Sequence, residues 1–186
     1  MQERHDKVNE LIKKEKRDID CLRTFAKEDE PYYLCYSGGK DSDTIRILAD
    51  LAGINYEIHN NHTTVDSPTT VRYIKEVLNK YGSRKYDAEN KTATYGEKAF
   101  IHMPELTMWQ LIVKKQMPPT RIARYCCEKL KEKGGKGRRK ITGVRWEESN
   151  NRKNNHGLVT IIGQPKQTEK VAEELEADYR KTKKAE

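Results

Sequence analysis

The stretch YSGGKDSDT, residues 36–44, follows the short apolar run PYYLCYS (31–37) and precedes a segment whose apolar residues recur at helical spacing. That segment starts at Ser42 and carries Ile45, Leu48, Ala49 and Ala52 before Gly53 stops it. The local order is therefore buried strand, glycine loop, helix. Gly38 and Gly39 allow successive backbone N–H groups to converge on one point, where the helix adds its free N-terminal donors and positive dipole end. Lys40 and the hydroxyls of Ser37 and Ser42 add charge and donors there. Such a loop is a nest for phosphate oxygens, set outside the carboxyl end of a strand where open α/β sheets bind ligands. It is neither a G-x-x-x-x-G-K-[ST] loop nor G-x-G-x-x-G.

Working outward, residues 3–25 place Val8, Leu11, Ile12, Ile19, Leu22 and Phe25 among many charges, which predicts an amphipathic helix or pair of helices leaning on the main body. INYEIHN (54–60) reads as a second strand, and DSPTTVRYIKEVLNKYG (66–82) as a helix. Asp66 or Ser67 is its expected cap, Pro68 fits its first turn and Gly82 ends it. Residues 83–100 are polar and aperiodic and read as an excursion or short hairpin. Helical stretches follow at 104–117 and 121–133, then the strand KITGVRW (140–146) and a last strand LVTII (158–162). From Thr168, Val171, Leu175 and Tyr179 share one helical face. The pattern predicts an α/β fold: a twisted parallel sheet with crossover helices on both faces. The expected organisation is a helical extension (1–30), one nucleotide-binding domain (31–165), and a C-terminal helix with a basic tail (166–186).

The 186 residues are 34% apolar and 35% charged, with 37 Lys and Arg against 29 Asp and Glu, a net charge of +8. This excess favours an anionic partner, whether nucleotide, nucleic acid or membrane surface. No apolar run approaches the ~18 residues that a membrane span needs, and MQERHDKVNE lacks the apolar core of a secretory signal. The four cysteines, Cys21, Cys35, Cys126 and Cys127, show no disulfide framework, and reduced thiols in a cytoplasm are expected. The five histidines show no zinc spacing; His62 is a candidate site neighbour.

Residue chemistry names further candidates. Arg121, Arg124, Arg145 and Arg152 offer forked donors for phosphate or sulfate oxygens, against the alternative of surface ion pairs. Arg145 stands at the end of an apolar strand, two residues after Gly143, whose lack of a side chain leaves room for close approach; Glu148 and Ser149 would orient it or touch a ribose. Asp41 and Asp66 are candidate Mg²⁺ ligands, with helix capping the rival role for Asp66. Cys126 and Cys127, adjacent on a helix, point about 100° apart, so one is expected to face the site as an activated thiol and the other to pack inward. The glycine-basic loop EKGGKGRRK (132–140) is either a clamp for phosphate or nucleic acid or a solvated turn.

SGGKDS (37–42) resembles the pyrophosphate loop of the ATP pyrophosphatases, whose sheet is the adenine-nucleotide alpha-hydrolase fold. Three further stretches, TTVDSP (63–68), PPTRIARYCCEKLKE (118–132) and TGVRWEESNNR (142–152), in that order resemble the phosphoadenosine phosphosulfate (PAPS) reductase family in its broad sense, over residues 32–152. That family includes sulfonucleotide reductases, the nucleotide-handling subunit of ATP sulfurylase and the sulfur-inserting subunit of DNA phosphorothioation systems. The resemblance implies an adenine nucleotide, ATP or PAPS, bound at the loop. With Lys40 present it implies Mg²⁺-ATP cleaved between its α and β phosphates, Lys40, Asp41 and Arg145 carrying the chemistry and the adenylate passing to an acceptor, small molecule or partner protein. The alternatives are a thiol-dependent PAPS reductase, and a shortened non-catalytic module for nucleotide or nucleic acid. Family members that hold an iron–sulfur cluster pair such a Cys-Cys with a later Cys-x-x-C; no cysteine follows Cys127, so a complete cluster within one chain is not expected.

Overall fold

The computed structural model describes residues 2–145 apart from residue 133. The chain divides into two compact units, Met1–Gly143 and Val144–Glu186, and only the first two residues of the second are described. The expected strand LVTII, the C-terminal helix and the site candidates Glu148, Ser149 and Arg152 lie outside the described residues.

In the first unit, helix α1 (Gln2–Thr24) leads to strand β1 (Tyr32–Cys35), helix α2 (Lys40–Ala52), strand β2 (Tyr56–Asn61) and helix α3 (Pro68–Leu78). Strands β3 (Arg84–Asp87), β4 (Thr92–Tyr95) and β5 (Ala99–His102) follow, then helix α4 (Met108–Lys115) and strand β6 (Lys140–Ile141). They form one six-stranded sheet in the order β3-β4-β5-β2-β1-β6. Strands β5, β2, β1 and β6 are parallel, while β3 and β4 form an antiparallel hairpin that continues antiparallel onto β5. The architecture is α/β with a mixed, mostly parallel sheet, not the wholly parallel one expected. Residues 83–100 supply that hairpin and the start of β5, a strand of only four residues whose partner β2 lies far back in the chain.

One sheet face is the apolar core. Tyr32, Leu34, Tyr56, Ile58 and Ile101 point to it by strand alternation, and Ala49, Ile74, Val77 and Leu78 meet them from α2 and α3. Arg23, near the end of α1, donates to the carbonyls of Leu51 and Ala52 and so satisfies the C-terminus of α2. Only the second half of α1 packs here, through Leu22 and Phe25. Val8, Leu11 and Ile12, expected to lean on the body, are 48%, 63% and 54% exposed, because α1 is one straight helix that projects past its contact with α2. Neither Asp66 nor Ser67 caps α3: no side chain caps its N-terminus, and Asp66 instead accepts the Thr63 N–H at 3.1 Å.

The other face is an aromatic and polar ladder. Tyr33 stacks on His59 with centroids 3.7 Å apart, and His59 continues to Phe100 and His102 at 4.8 and 5.2 Å. His59 Nδ1 and His102 Nε2 share a hydrogen bond of 2.9 Å, His59 Nε2 meets Glu57 at 3.1 Å, and Arg138 pairs with Glu57 at 2.7 Å. Lys131, Gly134, Gly135 and Arg138, on the way from β5 back to β6, lie against residues of this face. Arg138 lies 5.5 Å from the centre of the Tyr33 ring. Gly134 and Gly135 lie against that ring where a side chain would collide. At Gly134, Gly135 and Arg138 the glycine-basic loop packs on Tyr33 and Glu57, while Lys136 and Gly137 form the exposed turn that one of the two readings expects.

Burial lowers the His59 pKa to about 4 and pushes that of His102 down as well. Both rings are neutral at pH 7, so His59 and Glu57 form a hydrogen bond and not an ion pair. An unfolded chain protonates His59 near its ordinary value of 6.5, while the folded chain resists until pH 4. Stability should therefore be full above pH 6.5 and fall as pH drops from 6.5 toward 4. Urea midpoints measured from pH 7.5 to 5 should show the decline, and His59→Gln should flatten it.

Candidate functional site

The chain leaves β1 toward β2 and β5 on one side, and reaches β6 on the other. The carboxyl ends of β1 and β6 are therefore the point where strand order reverses, the place where open α/β sheets form a ligand crevice. The Ser37–Ser42 loop lies at that point, directly after β1.

Gly38 has φ +74°, and a Cβ there would lie 2.6 Å from Ile74 Cγ1 of α3. Both the left-handed backbone and the contact demand glycine. Gly39 differs. It is the N-cap of α2, with φ −91° and ψ 161°, a conformation open to any residue. A Cβ there would find only Ser37 Oγ, at an ordinary 3.5 Å. No side chain caps α2, so the N–H groups of its first turn face outward beside the exposed Lys40. Among the described residues Lys40 has no acidic partner. Ser42 is buried, its hydroxyl donating to Gly39 O at 2.7 Å and accepting from Ser37 Oγ at 3.3 Å, so it stiffens the loop from inside.

Asp43, which the sequence reading passed over, ties the loop to its surroundings. Its carboxylate accepts from Tyr36 at 2.8 Å and Tyr73 of α3 at 2.7 Å, with Arg46 Nε 3.8 Å away. Burial and the Asp43 carboxylate hold the Tyr36 pKa far above its usual value, so the phenol stays a donor. Asn60, buried on β2, donates to Tyr36 O at 2.9 Å. The apolar-looking run PYYLCYS hid this role, since a tyrosine ring reads as core until its hydroxyl finds a partner.

Gly143 reaches the same place from the other side. A Cβ on it would stand 3.0 Å from the Asp41 backbone carbon and oxygen, so the glycine is needed for close approach of backbone to backbone. Strand β6 ends at Ile141, well short of the expected Trp146, because the chain leaves its pairing with β1 to lie against α2. Arg145 consequently does not end a strand; it belongs to the second unit.

The structure brings Ser37, Gly38, Gly39, Lys40, Asp41, Ser42 and Gly143 together. Arg121 is exposed, and Arg124 donates to Cys127 Sγ at 3.5 Å. Cys126 and Cys127 are both half-buried, at the entry to a short π-helical turn (Cys127–Lys131) in place of the expected longer helix. This segment is anchored near the carboxyl end of β2, where Asn61 donates to Lys131 O at 2.7 Å. Asp66 is occupied with Thr63 N–H and lies 3.8 Å from His62 Nδ1. No group of three or more metal-ligating side chains occurs among the described residues.

Fold and site define an α/β chain with a glycine, serine and lysine loop at the switch point of its sheet. No family model, curated protein or solved structure matches the chain.

The two loop glycines should separate in experiment. Gly38→Ala should lower stability by roughly 1–3 kcal/mol through strain and overlap with Ile74, whereas Gly39→Ala should shift it by less than about 0.5 kcal/mol. Chemical denaturation of both variants measures the difference.

Proposed function

We propose that the Ser37–Ser42 loop binds the phosphates of an adenine nucleotide and that the protein is an ATP pyrophosphatase of the PAPS reductase type, forming an adenylate for transfer to an acceptor. The observation that carries this reading is Gly39. The fold does not need glycine there, yet its missing side chain leaves the N–H groups of α2 open to a ligand beside Lys40. A helix N-terminus, a lysine without an acidic partner and a switch-point position all favour a polyanion.

In this reading the loop amides and Lys40 grip the β and γ phosphates and stabilise the charge that develops on the leaving pyrophosphate. Asp41, in the first turn of α2, is the carboxylate suited to Mg²⁺ arriving with the triphosphate, whose remaining ligands are phosphate oxygens and water. Bound Mg²⁺ would neutralise phosphate charge. Asp66, the other candidate, accepts the Thr63 N–H. Ser42 and Asp43 serve by holding the loop rigid, which lowers the entropy cost of gripping the phosphates.

Incubation with Mg²⁺-ATP should release AMP and pyrophosphate when an acceptor is present. ADP as product would point to another chemistry, and binding without turnover to a nucleotide-binding module. In titration calorimetry, Lys40→Ala should weaken ATP binding by roughly 1.5–3 kcal/mol, the worth of a charge-assisted hydrogen bond. Gly39→Val should weaken it at least as much by filling the approach to the amides. Wild-type affinity in both variants would remove the loop from the site.

A further inference from the structure

A cavity of about 210 Å³ lies between α3 and strands β3, β4 and β5. It exists because the core-facing residue of β4 opposite Ile101 is Ala93, too small to fill the space under α3. Val71, Ile101 and Met103 give it an apolar body. Lys75 and Arg84 line it too, both exposed, and among the described residues neither has an acidic partner. Tyr95 forms part of the wall. It is 1% exposed, and its buried hydroxyl has no hydrogen-bond partner among the described residues. An orphan hydroxyl of this kind costs about 1–3 kcal/mol, and one beside an apolar cavity flanked by two cations calls for an anionic acceptor with an apolar body. The cavity adjoins the loop: Ile74, which packs on Gly38, and Asn60, which holds Tyr36 O, stand in its wall. Lys75, Val71 and His62 also line a second hollow of about 430 Å³ beside the start of α3, which lets a ligand enter along that helix.

We propose that this cavity is a binding site for a small organic carboxylate, whose oxygens pair with Lys75 and Arg84 and accept from Tyr95 while its apolar part packs on Val71, Ile101 and Met103. The hydroxyl is sealed from solvent, so the carboxylate reaches it only as side chains of the cavity wall shift. The site stands on the cavity and its walls alone, whatever the loop binds; its place beside the loop suits it to present an acceptor.

The test is saturation-transfer NMR on the full chain with 4-fluorobenzoate, and with 4-fluorobenzamide as the neutral probe of the same shape. The benzoate should receive saturation and the benzamide should bind about tenfold more weakly or not at all, the difference one charged hydrogen bond makes. Val71→Trp should abolish the signal by filling the cavity. Lys75→Met with Arg84→Met should reduce it in a protein whose core is untouched. Tyr95→Phe should weaken benzoate about tenfold and, by removing the orphan hydroxyl, raise the melting temperature of the protein alone. Lys40→Ala should leave benzoate binding unchanged, so failure of the nucleotide reading and failure of this one remain distinct. No transfer to the wild type, equal transfer to both probes, a signal that survives Val71→Trp, or a lower melting temperature in Tyr95→Phe would each overturn the proposal.

Discussion

The contact between Gly38 and Ile74 governs how the chain turns from its first strand into its first crossover helix. Because the glycine backbone takes up a left-handed conformation against the Ile74 side chain, the loop is seated on α3 before α2 begins. Asp43 then locks the arrangement, drawing one hydroxyl from Tyr36 and another from Tyr73, so that β1, α2 and α3 meet at a single carboxylate. With that corner fixed, α2 must point its uncapped N-terminus outward at the switch point of the sheet. The polar chemistry at the loop is a consequence of apolar packing behind it.

That division of labour explains which parts were legible in the sequence. Strands β1 and β2 and helices α2 and α3 announce themselves through long apolar periodicity and strong stops such as Gly53, which takes the left-handed conformation its position requires. The loop was legible because two glycines, a lysine and two serines between a strand and a helix have few other uses. Strand β5 was not, since AFIH is short and half of it, Phe100 and His102, belongs to the ladder on the far face and not to the core. The early end of β6 was hidden because Gly143 looks like part of a strand until α2 is known to lie against it. Asp43 was missed for a related reason: in a first helical turn an aspartate reads as a dipole partner, and only the fold reveals two tyrosine hydroxyls converging on it.

The two faces of the sheet settle their burial costs differently. The core face excludes water with aliphatic and tyrosine side chains, and the hydroxyls of Tyr56 and Tyr32 find partners in Asp50 and Leu22 O, while that of Tyr95 is left without one among the described residues. The ladder face buries two imidazoles, which is tolerable because the pair satisfies one another and Glu57 and Thr92 take the outer nitrogens. Arg138 both neutralises Glu57 and closes over Tyr33, so one arginine of the basic segment is engaged within the fold.

Among the described residues strand β3 is last in the sheet on its side; it is exposed along its whole length and reads Arg84, Lys85, Tyr86, Asp87. A sheet margin offers unpaired backbone donors and acceptors to any passing strand, and the usual protection is charge at that margin. Three of the four residues here are ionised, two of one sign, so a second copy approaching strand to strand would have to desolvate lysine and arginine before gaining any ladder bonds. Charge at this margin therefore raises the cost of strand-to-strand pairing along this side.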